Sequence, residues 1–427
     1  MAKIHIMSVC GKLMAGVATL AKQMGFGVIG YDVAFEQPMA SQLSAMSITC
    51  VQGYSLDQLQ PGDTLIVGNS IHFDNPMVQY ARVHQIKIKS APEWLSEHVL
   101  ADREVIAICG THGKTTLATW CVQVFHRLGI KVGYLVGGMV PSTNRSADFG
   151  DGRCAWFVIE ADEYDTAFFD KRPKFLHYWP RWVLINNIEF DHADIYSDLN
   201  AMVKQYQLLE KIVHPNGCVL IDHEAAKYLK QPVKTFGINQ SGLDYQGSYK
   251  DQHLVLHGQS VACWGQHNAH NLLGLYALFE VMGVSLPKEA LQSLSMPVRR
   301  CQLMMEYNGV QWFDDFAHHP TAINAVYRTL VERYGKVALV IHPSTYTQRS
   351  KFGFDQLLTL MADAPYVAIL PDKRQEVIYD LPDNWQYVAD QSQAALWAQE
   401  QPVSAVCVMS SQYLAKIFEA KLFEVRD

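Results

Sequence analysis

The sequence predicts an α/β protein built of three successive units, and three observations predict it. Apolar, strand-like runs alternate with helical stretches along the whole chain, which implies parallel sheets with helices on both faces. A glycine-rich turn ending in Lys114 stands directly between an apolar strand and a helix. Fresh strand–helix series open near residues 1, 101 and 299, dividing the 427 residues into units of 1–100, 101–298 and 299–427. Apolar residues make up 49% and charged residues 18%, a globular rather than a disordered balance.

The first unit opens with a strand at 3–9, a glycine-containing turn and a helix from Leu13 to Met24. A second strand at 27–31 runs into Asp32, and a third lies at 64–68. This is a βαβ beginning. The second unit opens with the apolar strand Glu104–Cys109 and a helix from Thr115 to Leu128. Strands follow at 155–160, 182–186 and 218–221, then short antiparallel strands within 243–265 and a helix at 268–282. The third unit places strands at 310–314, 336–341, 366–370 and 404–409, with a helix at 320–334.

The net charge of −7 and the absence of a Lys/Arg-rich tract exclude a nucleic-acid binder that works by phosphate neutralisation. No apolar run reaches the roughly 18 residues of a membrane span, and the N-terminus lacks the pattern of a signal peptide. The nine cysteines form no CxxC pair. Free thiols in a reducing compartment are expected, and with them a cytoplasmic protein.

The sharpest motif is Gly110-Thr111-His112-Gly113-Lys114-Thr115-Thr116. Glycines let backbone N–H groups turn inward around phosphate oxygens, and the following helix adds partial positive charge. Lys114 would reach the β- and γ-phosphates of ATP, and Thr115 would ligate Mg²⁺. The usual pattern has another glycine where this chain has Ile108, so Gly110 does the turning. Glu160 opens a run Glu-Ala-Asp-Glu at a strand end, where α/β proteins bind ligands, and fits as a second Mg²⁺ oxygen donor. A second cluster, Asn186 to His192, follows the next strand. His192 suits a further ion or a substrate group.

Gly11 and Gly16 fall where a dinucleotide fingerprint places its first and third glycines, and Asp32 where its ribose-binding acid would sit; Leu13 breaks the motif. The glycines suit a nucleotide-diphosphate group or a purely structural turn. Further on, Asn268 reads as a helix N-cap, with Asn271 one turn later on the same face. Arg299 and Arg300 begin the third unit, and Asp314 to Pro320 lie between a strand and a helix.

Taken together, GTHGKTT, EADEYD, NNIEFDHAD, GQHNAHN, the paired arginines and DDFAHHP resemble the Mur ligase family, ATP-dependent amide ligases of bacterial cell-wall synthesis. The pieces occur in family order over 1–330. Residues 159–178, together with CGKLMAG and DNP at 74–76, are similar to the branch that joins UDP-N-acetylmuramate to L-alanyl-γ-D-glutamyl-meso-diaminopimelate during peptidoglycan recycling.

The resemblance implies a Rossmann-like UDP-sugar domain, a central P-loop ATPase-like domain and a Rossmann-like acceptor domain. It implies ATP and Mg²⁺ as cofactors, and UDP-N-acetylmuramate with a cell-wall peptide as substrates. Gly11 and Gly16 would face the UDP pyrophosphate, and Asp32 and His192 would serve the UDP-sugar. Lys114 would bind the γ-phosphate, Thr115, Glu160 and His192 would hold Mg²⁺, and Asn187 would lie beside them. Asn268 and Asn271 would contact the adenine side, and Arg300 and Asp315 would reach ATP from the third domain. Two stretches depart from the branch. A Pro-Arg-Ser-Asn-Thr-like run is replaced by Pro343-Ser344-Thr345-Tyr346-Thr347, and a glycine-rich loop by Ser410-Ser411-Gln412-Tyr413. Ligation of free L-alanine to the same UDP-sugar is therefore the alternative reaction. From another class, the alternative is an inactive sensor of UDP-muramate or ATP.

Overall fold

The first sheet is wholly parallel. Its strands are β1 (Lys3–Met7), β2 (Gly27–Asp32), β3 (Thr49–Gln52), β4 (Thr64–Val67) and β5 (Lys87–Ser90), in the order β3-β2-β1-β4-β5. Helices α1 (Lys12–Gln23), α2 (Met39–Ala45), α3 (Pro76–Val83) and α4 (Ala91–Leu95) connect or follow them. The structure is a computed structural model and describes residues 2–152, 154–375, 377–412, 414 and 418. Tyr413, in the second departing stretch, lies outside the described residues. The strand order reverses between β1 and β4, so a crevice opens at the carboxyl ends of these strands.

The central unit runs β6 (Glu104–Cys109), α5 (Lys114–Arg127), β7 (Val132–Val140), β8 (Arg145–Asp148), β9 (Trp156–Glu160) and a small hairpin of β10 (Asp165–Ala167) with β11 (Asp170–Pro173). It continues with β12 (Trp182–Ile185), α6 (Leu199–Ile212), β13 (Cys218–Asp222), β14 (Lys234–Ile238), β15 (Tyr245–Lys250), β16 (His253–Leu256), β17 (Gln259–Ala262), α7 (Gln266–Val281) and α8 (Lys288–Leu291). Ten of these strands make one sheet in the order β17-β16-β15-β14-β13-β12-β6-β9-β7-β8. All four residues of β12 are buried, as are all of β6 after Glu104. Such unbroken apolar runs mark parallel strands covered on both faces.

The third unit contains β18 (Gln302–Tyr307), β19 (Val310–Asp315), α9 (Pro320–Tyr334), β20 (Val337–His342), α10 (Tyr346–Arg349), α11 (Lys351–Leu360), β21 (Val367–Ile369), β22 (Trp385–Tyr387), α12 (Gln391–Glu400) and β23 (Ala405–Ser410). They form a six-stranded sheet in the order β18-β19-β23-β20-β21-β22. No helix among the described residues is long and apolar enough to cross a membrane.

The expectation of parallel sheets needs correction at two edges. β18 pairs antiparallel with β19 through Asn308 and Gly309, both at positive φ, the geometry of a tight hairpin turn. β7 and β8 form a second antiparallel pair, and neither was expected as a strand. Three glycines within Val132–Val140 hide the strand pattern of β7. This hairpin matters to the whole molecule, because it packs on α1. Gly16 sits inside α1, where an added Cβ would lie 3.0 Å from Leu135 Cγ and 3.4 Å from Ala147 Cβ. One apolar cluster runs from Val17 and Leu20 through Leu135 and Ala147 to Phe157, so the first and central units share a core.

Candidate active site

The phosphate loop is shaped by two glycines. Gly110 has φ +130° and Gly113 φ +83°, backbone that L side chains rarely adopt. A Cβ on Gly113 would also lie 2.5 Å from Asn186 Nδ2, because the loop rests on the two asparagines that follow β12. The amides of both Asn186 and Asn187 donate to the carbonyl of His112, at 3.3 and 3.0 Å, and the amide oxygen of Asn187 accepts from the His112 N–H at 3.0 Å. Asn187 therefore braces the loop. Thr111 Oγ1 donates to the Glu189 carbonyl and accepts from the Glu189 N–H, both at 2.9 Å.

Lys114 opens α5 and is buried. Its Nζ donates to the Gly110 carbonyl and to Glu163, each at 2.7 Å. Burial alone would lower its pKa, but Glu163 and Asp162 overcome that and hold it well above the ordinary lysine value. Glu163 is wholly buried and bridges onward to His192 Nε2 at 3.2 Å. Burial opposes the His192 charge, and the Glu163 and Asp191 carboxylates raise its pKa in spite of it. Lys174, in the segment that resembles the tripeptide branch, is buried 3.4 Å from Asp162 and over the Tyr164 ring.

Glu160 ends β9 beside this cluster. Its Oε1 accepts from Thr115 Oγ1 at 2.9 Å and its Oε2 from the Gly137 N–H at 2.6 Å. Burial and Asp162 raise its pKa, against Lys114. Arg300 Nη2 donates to Thr115 Oγ1 at 3.3 Å, bringing the third unit onto the loop. The hydroxyl of Thr115 and the carboxylate of Glu160 are the hard oxygen donors a magnesium ion takes. They meet in a cradle that a Cβ at Gly137 would fill, 2.7 Å from Glu160 Oε1. The residues present fit that ion.

Two cavities meet at the loop. One of about 290 Å³ is lined by Lys12, Lys114, Thr115, Glu160, His192 and Arg300, among others. One of about 1200 Å³ takes in His112, Gly113, Thr116, Asn187, Asn268, Asn271, Arg300 and Asp315. Asn268 is not the N-cap. Gly265 is, and Asn268 sits inside α7 with its amide on the Trp264 carbonyl at 2.8 Å and its buried Oδ1 without a partner. Asn271 accepts from Asn186 at 3.0 Å. Asp315 is buried and accepts the N–H groups of Cys301 and Ala317.

Gly110 shapes the loop without lining either cavity, and three further expected residues line neither. Gly11 caps α1, Gly16 packs on Leu135, and Asp32 accepts the N–H groups of Cys10 and Val33, each at 2.8 Å, bracing the turn after β1. Missed in the sequence were Glu163, Lys174 and Lys12. The first lay in plain view in the acidic run. The other two carry no local signal.

Glu189 ties the loop to the third unit, with His112 Nε2 at 2.7 Å and Thr321 Oγ1 at 2.5 Å. Burial opposes its charge, but His112, His319 and Thr321 hold it at about 2. A folded-state pKa below the unfolded value contributes stability above the latter and loses it as pH falls through the former. Thermal stability is therefore expected to drop between about pH 4.5 and about pH 2, and Glu189→Gln to flatten that slope, as read by melting temperature against pH.

Three family models match this chain. They are the Mur ligase family catalytic domain over residues 3–103, the Mur ligase middle domain over 108–279 and the Mur ligase glutamate ligase domain over 299–412. A Haemophilus influenzae protein, UDP-N-acetylmuramate–L-alanyl-γ-D-glutamyl-meso-2,6-diaminoheptandioate ligase, is 36% identical over 96% of each chain. The chain belongs to the Mur ligase family. An Escherichia coli ligase of the same name is 38% identical over 86% of this chain and 84% of its own. A solved murein peptide ligase from Psychrobacter arcticus superposes with a TM-score of 0.74 at 27% identity, covering 99% of this chain and 98% of that one. As a Mur ligase the protein is an ATP-dependent enzyme that forms amide bonds.

Proposed function

We propose that this Mur ligase joins the lactyl carboxylate of UDP-N-acetylmuramate to the α-amine of L-alanyl-γ-D-glutamyl-meso-diaminopimelate, in the cytoplasm, as a step of peptidoglycan recycling. The end-to-end similarity to ligases of that name carries the reading. The meeting of all three units at one cavity beside the phosphate loop supports it.

A carboxylate is a poor acyl donor because its leaving group would be oxide. Attack on the γ-phosphorus of ATP gives an acyl phosphate, from which the amine displaces phosphate. In this reading Gly110 to Thr116 cradle the phosphates, and Lys114 turns from Glu163 toward the γ-phosphate. Thr115 and Glu160 hold Mg²⁺, and His192 supports a second ion or the muramyl group. When bound, the metal spreads the charge on the phosphoryl oxygens. Asn187 fixes the loop, Asn268 and Asn271 face the base, and Arg300 with Asp315 close on the nucleotide from the third unit.

The acceptor side also favours an acidic peptide over L-alanine. Ser344 stands where the branch carries arginine, yet its carbonyl accepts from Arg349 at 2.8 Å and Arg374 at 2.9 Å. One carboxylate, Asp372, faces both guanidiniums, leaving a net positive charge beside Thr345 and Ser411 of the smaller cavity. Phosphate release with Mg²⁺, ATP and UDP-N-acetylmuramate is expected with the tripeptide and not with L-alanine, and the product mass identifies the amide. Turnover with L-alanine alone would overturn the acceptor assignment. UDP-sugar binding without turnover would favour a sensor.

A further inference from the structure

Lys12 stands in the catalytic cavity and has no part in the reading above. It is the first residue of α1 and lines the smaller cavity with Lys114, Thr115, Glu160 and His192. The residue is exposed, and its Nζ reaches across the cavity to the third unit, 3.7 Å from the centroid of the Phe316 ring. The other two lysines here are matched to carboxylates, Lys114 to Glu163 and Lys174 to Asp162. Among the described residues Lys12 has no ion pair within 4.0 Å. Its surroundings are aromatic and cationic, because Arg299 and Arg300 face the same Phe316 ring at 5.4 and 5.1 Å.

An amine placed this way is short of an anion. Crowding by protein atoms and the charge of Arg300 push its pKa down to about 8, against the pull of Glu160 and Asp162. An anion entering the cavity would reverse that shift. The ligation supplies one at the moment it matters. Carboxylate and γ-phosphate are both negative, so their approach is repulsive. Lys114 serves the phosphate side only.

We propose that Lys12 is a catalytic residue contributed by the first unit, its Nζ bound to the oxygens shared by the muramyl carboxylate and the transferring phosphoryl group. The proposal rests on the ligase reading. In the step, the carboxylate oxygen bonds to the γ-phosphorus while the bond from phosphorus to the β–γ bridging oxygen breaks. The electron pair departs on ADP, and Lys12 neither gains nor loses a proton. A cation aimed at charge that develops between two anions acts on the transition state more than on either bound substrate.

The test is steady-state kinetics on Lys12→Met and Lys12→Arg, with calorimetric binding of UDP-N-acetylmuramate in the absence of ATP. Lys12→Met is expected to lower kcat about ten- to a hundredfold while the UDP-sugar Kd changes less than about threefold. Lys12→Arg should recover most of the rate, and both variants should melt with the wild type. A loss confined to UDP-sugar binding, with kcat retained, would make Lys12 a pyrophosphate anchor and overturn the proposal. So would a lower melting temperature that arginine does not restore. Normal turnover by Lys12→Met would remove the proposal alone. No turnover by the wild type with either acceptor would remove the ligase reading and the proposal with it.

Discussion

Lys114→Met is expected to lower turnover by at least about a thousandfold, because phosphoryl transfer depends on charge held at the γ-phosphate and the side chain is that charge. A second effect comes from the folded protein itself. Glu163 is wholly buried, with Lys114 at 2.7 Å and His192 at 3.2 Å as its partners. Removing the lysine leaves that carboxylate short of positive charge, at a cost of roughly 3 kcal/mol. Lys114→Met is therefore expected to melt at a lower temperature as well. The double variant Lys114→Met/Glu163→Gln separates the two effects. It removes both charges, so melting should return toward the wild type while turnover stays lost. UDP-N-acetylmuramate should still bind, since its expected site lies on the first unit. A single variant retaining more than about a tenth of wild-type kcat would refute a direct role at the γ-phosphate.

What could be read from the sequence divides along physical lines. The phosphate loop is local: strand, glycines, lysine and helix are consecutive, so Gly110 to Thr116 declare their geometry without the rest of the chain. Glu160 was legible for the same reason, as the last residue of an apolar strand. The placing of its acidic neighbours was not, because the strand ends at Glu160 and the chain turns at Glu163 and Tyr164. Which of Asp162 and Glu163 meets Lys114 depends on that turn, and the structure gives the closer contact to Glu163. Gly16 shows how a local pattern misleads. It occupies a fingerprint position, yet the neighbour that leaves no room for a Cβ is Leu135, far along the chain on a strand whose glycines hide it. The β18–β19 hairpin could have been read, since Asn308-Gly309 between two strand-like runs is a strong turn signal. Lys12 could not. Nothing local says that its amine ends beside Phe316.

Gly137→Ala tests the metal-holding role of Glu160 without touching a polar side chain. Gly137 lies within β7, and its φ is not in the left-handed region, so its backbone accepts alanine. Space is the obstacle. The new Cβ would stand 2.7 and 2.8 Å from the two carboxylate oxygens of Glu160 and 2.9 Å from Cδ. Gly137 lies past the last pair of β7 with β9, at Leu135, and in the irregular stretch of its pairing with β8 between Leu135 and Val140, but the carboxylate is the free end of a side chain beside a cavity, so the carboxylate yields first. It then leaves the Gly137 N–H at 2.6 Å and Thr115 Oγ1 at 2.9 Å. A displacement of this size at a reacting centre is expected to lower kcat about a hundredfold. The Mg²⁺ concentration for half-maximal rate should rise, and excess Mg²⁺ should restore part of the loss. Melting temperature should change little, because the side chain shifts toward the cavity rather than into the core. The two halves of the result carry different weight. Rate loss with a raised Mg²⁺ requirement ties Glu160 to the ion. The same loss with an unchanged requirement would mean that Glu160 acts by fixing Thr115 and the phosphate loop, and that the ion is held elsewhere.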